Sequence, residues 1–413
     1  MTDCCFNNKR HKTYVCHFST KHQWDDTRVF YNECCSLQRA GYQVTYLTAG
    51  EKSDEFLERG VQIKTIAKSK SRLGRVFWLP WQFYRTIRKL CPRPEICHFH
   101  DPELMLAGKL LQLHGYKVIY DIHEIVAKQI LDKGYLPVFL RRFISIVYSF
   151  LEWLLTFSMA HVYVTEAPAH RPKRSAVLRN MPSAGDCPPL RTNVLPDSFK
   201  LIYIGGVSRS RGAIRMLELL RHLRKKGLNA ELRILGWPRP PELREEMMCY
   251  LKDHSLEDYC YISTSRVDPV EVTKALYASD LGLCLLDACE NYIRAFPVKI
   301  FEYLRAGLPV VATNIAYWRP MVERIGAGIL VDISDVENIA EQIIKLAQNP
   351  QTLAQMSRNG RKIVESYWCF EKEQQYLLAL YEDIITNGRG GCFSGAALGG
   401  VPLDGLELVE NKK

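Results

Sequence analysis

Two ionisable side chains three residues apart, Lys299 and Glu302, stand in the run AFPVKIFEYLRAGLPVVATN at residues 295–314. Pro297 suits the start of a helix, where its missing N–H costs nothing, and residues 298–304 carry apolar side chains at helical spacing. Gly307 ends that helix, and 309–311 open an apolar run that reads as a strand buried on both faces of a parallel sheet. An anion at this helix N-terminus would meet free backbone N–H groups, the positive end of the helix dipole and the Lys299 ammonium. A carboxylate one turn on could accept hydrogen bonds from a ribose. The same spacing also describes an ordinary solvated i,i+3 pair, worth only a few tenths of a kcal/mol.

A second phosphate-type arrangement lies at 200–222. An apolar strand at 200–204 runs into Gly205 and Gly206, then Arg209, Arg211 and Gly212, then a helix. Small residues such as Gly206 let a ligand approach the backbone, while guanidinium groups grip phosphate oxygens as a fork. Three polar sets fall at strand ends in the first half. Asp26 and Arg28 follow a strand at 13–19, with a helix-cap reading also open for Asp26. His98 and His100 alternate in EICHFHDP, so that one of them is expected to face the loop. His123 and Glu124 follow a strand at 118–121.

The elements that must position these groups form βαβ units, which imply doubly wound sheets with ligands at the carboxyl ends of the strands. A length of 413 residues, 47% of them hydrophobic, fits two domains rather than one. The net charge of +10 favours phosphate-bearing partners. No nucleic-acid-binding signature accompanies it, so no nucleic acid partner is expected. Fourteen cysteines scatter through apolar stretches without C-x-x-C spacing, which fits reduced thiols and no metal site. The N-terminal MTDCCFNNKRHK lacks the apolar core of a signal peptide, and a cytoplasmic location follows as the expectation. Residues 143–160 are the most apolar stretch, yet Glu152 interrupts them, so a spanning helix is not expected. A core helix is favoured there. The alternative is a helix lying on a bilayer, with Arg141 and Arg142 at the headgroups.

The 295–314 segment closely resembles the donor-sugar motif of retaining glycosyltransferases of family 4, the group 1 glycosyltransferases, which have GT-B architecture. The resemblance covers about residues 14–385, and is strongest at 297–311. It implies two Rossmann-like α/β domains facing across a cleft: an acceptor domain at 11–182, a linker at 183–196 and a nucleotide-sugar domain at 197–366. A terminal helix at 367–386 would return to the first domain, between disordered ends at 1–10 and 387–413. It gives Lys299 the donor phosphates, Glu302 the ribose, Arg211 and then Arg209 the diphosphate, and His100 the sugar near its anomeric centre. Asp26, Arg28 and His123 become acceptor-side groups. The expected partners are a nucleotide-sugar donor, carrying UDP or GDP, and a glycan or lipid-linked acceptor, with no cofactor and no metal. In two places the sequence departs from the family pattern. Arg294 stands where a first glutamate is usual, and no glycine pair follows the first strand. A nucleotide-sugar epimerase of the same architecture and an inactive glycan-binding homologue are the rival readings. A dinucleotide oxidoreductase would need a G-x-G-x-x-G that the chain lacks.

Overall fold

The structure, a computed structural model, describes residues 13–67, 78–123, 125–131, 137–164, 174–185, 187, 190, 198–265, 267–293 and 296–386. The two ends, most of the 183–196 segment, Glu124 and Arg294 lie outside the described residues. The described residues divide into two compact units, one of residues up to 180 joined by 371–386, the other of residues 181–370.

The first unit is built on an eight-stranded sheet of order β3-β4-β2-β1-β5-β6-β7-β8. Its strands are β1 (Tyr14–Ser19), β2 (Gln43–Gly50), β3 (Asp54–Glu58), β4 (Val61–Ala67), β5 (Ile96–Phe99), β6 (Lys117–Ile122), β7 (Ala160–Tyr163) and β8 (Ser175–Val177). All pairings but one are parallel, and the central strands β1 and β5 are buried along their whole length. The exception lies at one edge of the otherwise parallel sheet. β3 pairs antiparallel with β4 through Arg59 and Gly60, at φ of 49° and 79°. Two consecutive residues with positive φ make the tight hairpin whose twist suits antiparallel strands. Phe18, Phe83, Phe99 and Leu111 are fully buried in the core beneath.

Helix packing departs from expectation at Val138–Thr156. This helix buries only Ser145 and Thr156, while Phe139, Phe143, Ile146, Phe150, Trp153 and Phe157 stand 54–75% exposed. The favoured core placement is therefore corrected. Apolar residues occur on every side of this segment, so periodicity could not tell which side the sheet would take. The C-terminal helix Phe370–Thr386 belongs to the first unit, where the buried Tyr381 reaches β1 and β5.

The second unit carries a six-stranded, wholly parallel sheet of order β11-β10-β9-β12-β13-β14. Its strands are β9 (Phe199–Ile204), β10 (Ala230–Leu235), β11 (Cys260–Ile262), β12 (Leu281–Cys284), β13 (Val310–Thr313) and β14 (Gly328–Val331). Successive residues alternate between two cores, one holding Leu201, Tyr203, Leu283 and Val311, the other Ile202, Cys284, Val310 and Ala312.

Candidate functional site

In the second unit, the carboxyl end of β9 delivers Tyr203 and the loop Gly205–Val207. The helix Val298–Arg305 delivers Lys299 in its first turn. Lys299 Nζ lies 3.8 Å from the centroid of the Tyr203 ring. Its stem is half-buried and its Nζ is fully buried, with no hydrogen-bond partner among the described residues. Burial lowers its pKa to about 8, and neighbouring Arg211 pushes the same way. Arg211 donates from Nε to the Tyr292 hydroxyl at 3.0 Å and from Nη1 to the Gly206 carbonyl at 3.3 Å. Tyr203 donates to that same carbonyl at 2.7 Å. Lys299, Arg211 and Gly206 thus come together around Tyr203.

The local backbone explains why glycine recurs. Gly212 ends the turn that carries Arg211 at φ 81°, and a Cβ there would fall 2.5 Å from the Leu285 carbonyl oxygen. A Cβ on Gly206 would meet Arg211 Nη1 at 2.6 Å. Arg215 and the Ser210 carbonyl tie the loop after β12 to this turn, through Asp287 and the Leu285 carbonyl. Glu302 is half-buried one turn beyond Lys299. Burial raises its pKa, with Arg305 opposing from 3.8 Å. Arg209 is corrected as a partner of this cluster: it is exposed and forms a two-pronged ion pair with Glu246 on the neighbouring helix Pro241–Asp253.

In the first unit, the ends of β1, β5 and β6 assemble a buried polar cluster. His98 and His100 are two residues apart on a strand, so both point to one face, with rings 4.7 Å apart. This corrects the expectation that only one could face the loop. His100 is fully enclosed: Nδ1 faces Asp121 Oδ2 at 3.1 Å and Nε2 faces His17 Nδ1 at 3.0 Å. The side chain expected at the sugar therefore acts on the surface only through Asp121 and His123. Burial holds His17 and His98 well below ordinary imidazole values, and His100 at about 4.

Arg28 is also corrected. Rather than meeting an acceptor, its buried guanidinium bonds Asp121 and the Leu178 carbonyl and lies 3.1 Å from Glu33, without hydrogen-bond alignment at the last. Against the cost of burial, Arg28 holds Asp121 well below the usual carboxylate range. Burial pushes Glu33 well above it, with Arg28 opposing and the Asp121 charge adding. Asp26 caps the π-helical turn Thr27–Cys34, accepting from the Arg28 and Val29 amides at 3.0 and 2.9 Å. Its other oxygen bonds His22 Nδ1 at 2.9 Å. Although burial opposes ionisation of both groups, this pairing lowers Asp26 to about 2 and raises His22. His22 and His123, their rings 4.7 Å apart and partly exposed, form the surface of the cluster.

Sequence reasoning passed over Tyr203, Tyr292, His17, Asp121 and Tyr381. The signal available for His17 and Asp121 was a polar side chain in an otherwise apolar buried strand. For Tyr381 there was none, since 364 positions separate it from His17.

Two family models match the chain: "Glycosyltransferase Family 4" over residues 27–171 and "Glycosyl transferases group 1" over residues 191–363. Among curated relatives, the capsular polysaccharide biosynthesis glycosyltransferase CapM of Staphylococcus aureus is 21% identical over 202 residues, 48% of this chain and 49% of that protein. The chain spans about half the length of the curated relatives it matches. Among solved structures, sucrose-phosphate synthase of Thermosynechococcus elongatus aligns with TM-score 0.68 at 14% identity, covering 91% of this chain and 100% of that one. Anabaena HepE, in complex with UDP and glucose, aligns with TM-score 0.67 at 12% identity, covering 90% and 100%. With both halves matched by the paired family models and each unit built on the expected parallel sheet, the chain belongs to the group 1 glycosyltransferases of GT-B fold.

Proposed function

We propose that this protein is a retaining glycosyltransferase that moves a sugar from a nucleotide-sugar donor to a glycan or lipid-linked acceptor in polysaccharide or cell-envelope glycan synthesis. The observation that carries the reading is the meeting of Lys299 and Arg211 at Tyr203, above all the buried ammonium without a hydrogen-bond partner among the described residues. A buried unpaired charge is costly, and a diphosphate supplies the missing partner. Arg211 and Lys299 then stabilise the charge that develops on the leaving diphosphate, without a metal ion at the phosphates, and Glu302 bonds the ribose. The bond from the anomeric carbon to the phosphate oxygen breaks as the acceptor oxygen attacks from the same face, and the leaving phosphate takes the acceptor proton. The UDP complex of HepE and the capsular role named for CapM favour a UDP-sugar and a polysaccharide-type product.

The exposed apolar stripe on Val138–Thr156 supports an acceptor presented at a lipid surface. Phe139, Phe143, Ile146, Phe150, Trp153 and Phe157 recur every three or four residues along one face, beside Arg141 and Arg142. Among the described residues, no helix is long and apolar enough to cross a membrane.

Calorimetric titration with UDP and GDP, followed by incubation with UDP- and GDP-sugars plus lipid-linked acceptor, tests the reading. One nucleotide should bind, and the product should keep the donor's anomeric configuration. Rearranged nucleotide sugar released without acceptor would favour the epimerase, and binding of glycan with no donor consumed would favour an inactive homologue.

A further inference from the structure

We infer that Asp121, His100 and His123 form a binding site for one divalent first-row transition-metal ion, of which zinc is the type. It is separate from the donor-phosphate cluster and independent of the sugar-transfer reading. Asp121 Oδ2 lies 3.1 Å from His100 Nδ1 and 3.1 Å from His123 Nε2, and those two nitrogens are 3.4 Å apart. Ligand atoms held ~2.0–2.2 Å from a tetrahedral ion stand about 3.3–3.6 Å from one another. The triangle therefore needs to open by only about 0.2–0.5 Å along its two shorter edges to hold an ion, with two imidazoles and one carboxylate as donors.

The hydrogen-bond count around Asp121 points the same way. Its Oδ2 has two lone pairs but three donors at hydrogen-bond distance, His100, His123 and Arg28 Nη2, the last at 3.0 Å. A single cation facing both imidazoles replaces two of those donors and leaves one lone pair each for the ion and Arg28.

The buried chain behind His100 accommodates such a ligand. With a metal on Nδ1, His100 Nε2–H donates to His17 Nδ1, and His17 Nε2–H donates to the Tyr381 hydroxyl. Tyr381 then donates to His98 Nδ1, the successive distances being 3.0, 2.9 and 2.9 Å. In that assignment of tautomers His98 Nε2 carries a hydrogen. Among the described residues His98 Nε2 and both Glu33 carboxyl oxygens are buried without a hydrogen-bond partner, and one donor atom each of His17, Glu33, His98 and His100 lies within 4.8 Å of the others. That polarity places three hydrogen-bonded groups behind His100, the outer support commonly found behind a ligating histidine. Access exists from the surface, where His22 and His123 are partly exposed. The ligands come from the ends of two strands, so no cysteine-pair spacing betrays them.

The test treats the full chain with a chelator, adds zinc or cobalt(II) chloride, and measures retained metal after gel filtration together with the visible absorption of cobalt. One ion per chain and a tetrahedral cobalt spectrum are expected. Both should be lost in His123→Ala, which removes a partly exposed ligand, and kept in His114→Ala, which alters an exposed histidine outside the cluster. Circular dichroism verifies that each variant is folded. Failure of the wild-type chain to retain either ion, or equal retention by folded His123→Ala, would overturn the site.

Discussion

Lys299 holds its ammonium 3.8 Å from the centre of the Tyr203 ring, and Tyr203 in turn donates to the Gly206 carbonyl that also receives Arg211. One aromatic side chain thus fixes the lysine, the arginine and the glycine loop relative to one another. Among the described residues the cation is kept by the ring face rather than by a carboxylate, so an incoming anion displaces none of them.

Because burial lowers Lys299 to about 8, affinity for a diphosphate should be flat well below pH 8 and fall as pH rises through it, approaching tenfold per unit. Without ligand the sign reverses. Between about 8 and the ordinary 10.5, the unfolded chain binds a proton that the folded chain does not, so stability rises with pH across that window. Calorimetry with UDP at pH 7, 8 and 9 checks the first, and Lys299→Arg should flatten the profile.

Arg211→Ala removes a guanidinium fork from the proposed leaving group and should lower kcat/KM about 30- to 1000-fold, roughly 2–4 kcal/mol. Arg211→Lys keeps the charge without the fork and should recover only part of it. Nucleotide release measured at saturating and limiting donor separates kcat from KM.

Arg28→Met should destabilise the first unit by about 3–5 kcal/mol, because it strands the Asp121 carboxylate in a buried site. Arg209→Met breaks a pair on the exposed surface and should cost less than about 1 kcal/mol. Urea unfolding of the two variants side by side measures the contrast.

Phe143→Glu combined with Trp153→Glu should abolish sedimentation with vesicles containing anionic lipid while leaving unfolding unchanged, since both side chains stand more than half exposed. Binding that survives the double substitution would remove the stripe from any role at a bilayer.

The fold was legible because strands such as β9 and β13 are apolar runs bounded by glycine or proline, and Pro297 and Gly307 bracket a helix that forms where they predict. The three groups nearest the proposed phosphates were also legible, since Gly206 and Arg211 follow the end of β9 and Lys299 opens the helix that Pro297 marks. What escaped was whatever depends on tertiary choice. Glu246 captures Arg209 from another helix, and Arg28 turns inward because Asp121 and Glu33 are both buried beside it. The helix at Val138–Thr156 is apolar all round, so only the assembled unit shows which side is left uncovered.

Tyr381 closes the histidine cluster from a helix that leaves the ribosome after every described residue of the second unit has already emerged. Synthesis order and folding order must therefore part company. The second unit can settle as soon as residues up to 370 are free, whereas the first waits, with His17 and His98 open to water, for the last helix to arrive. On stalled nascent chains, resistance to protease should appear in the later-made unit before the earlier one.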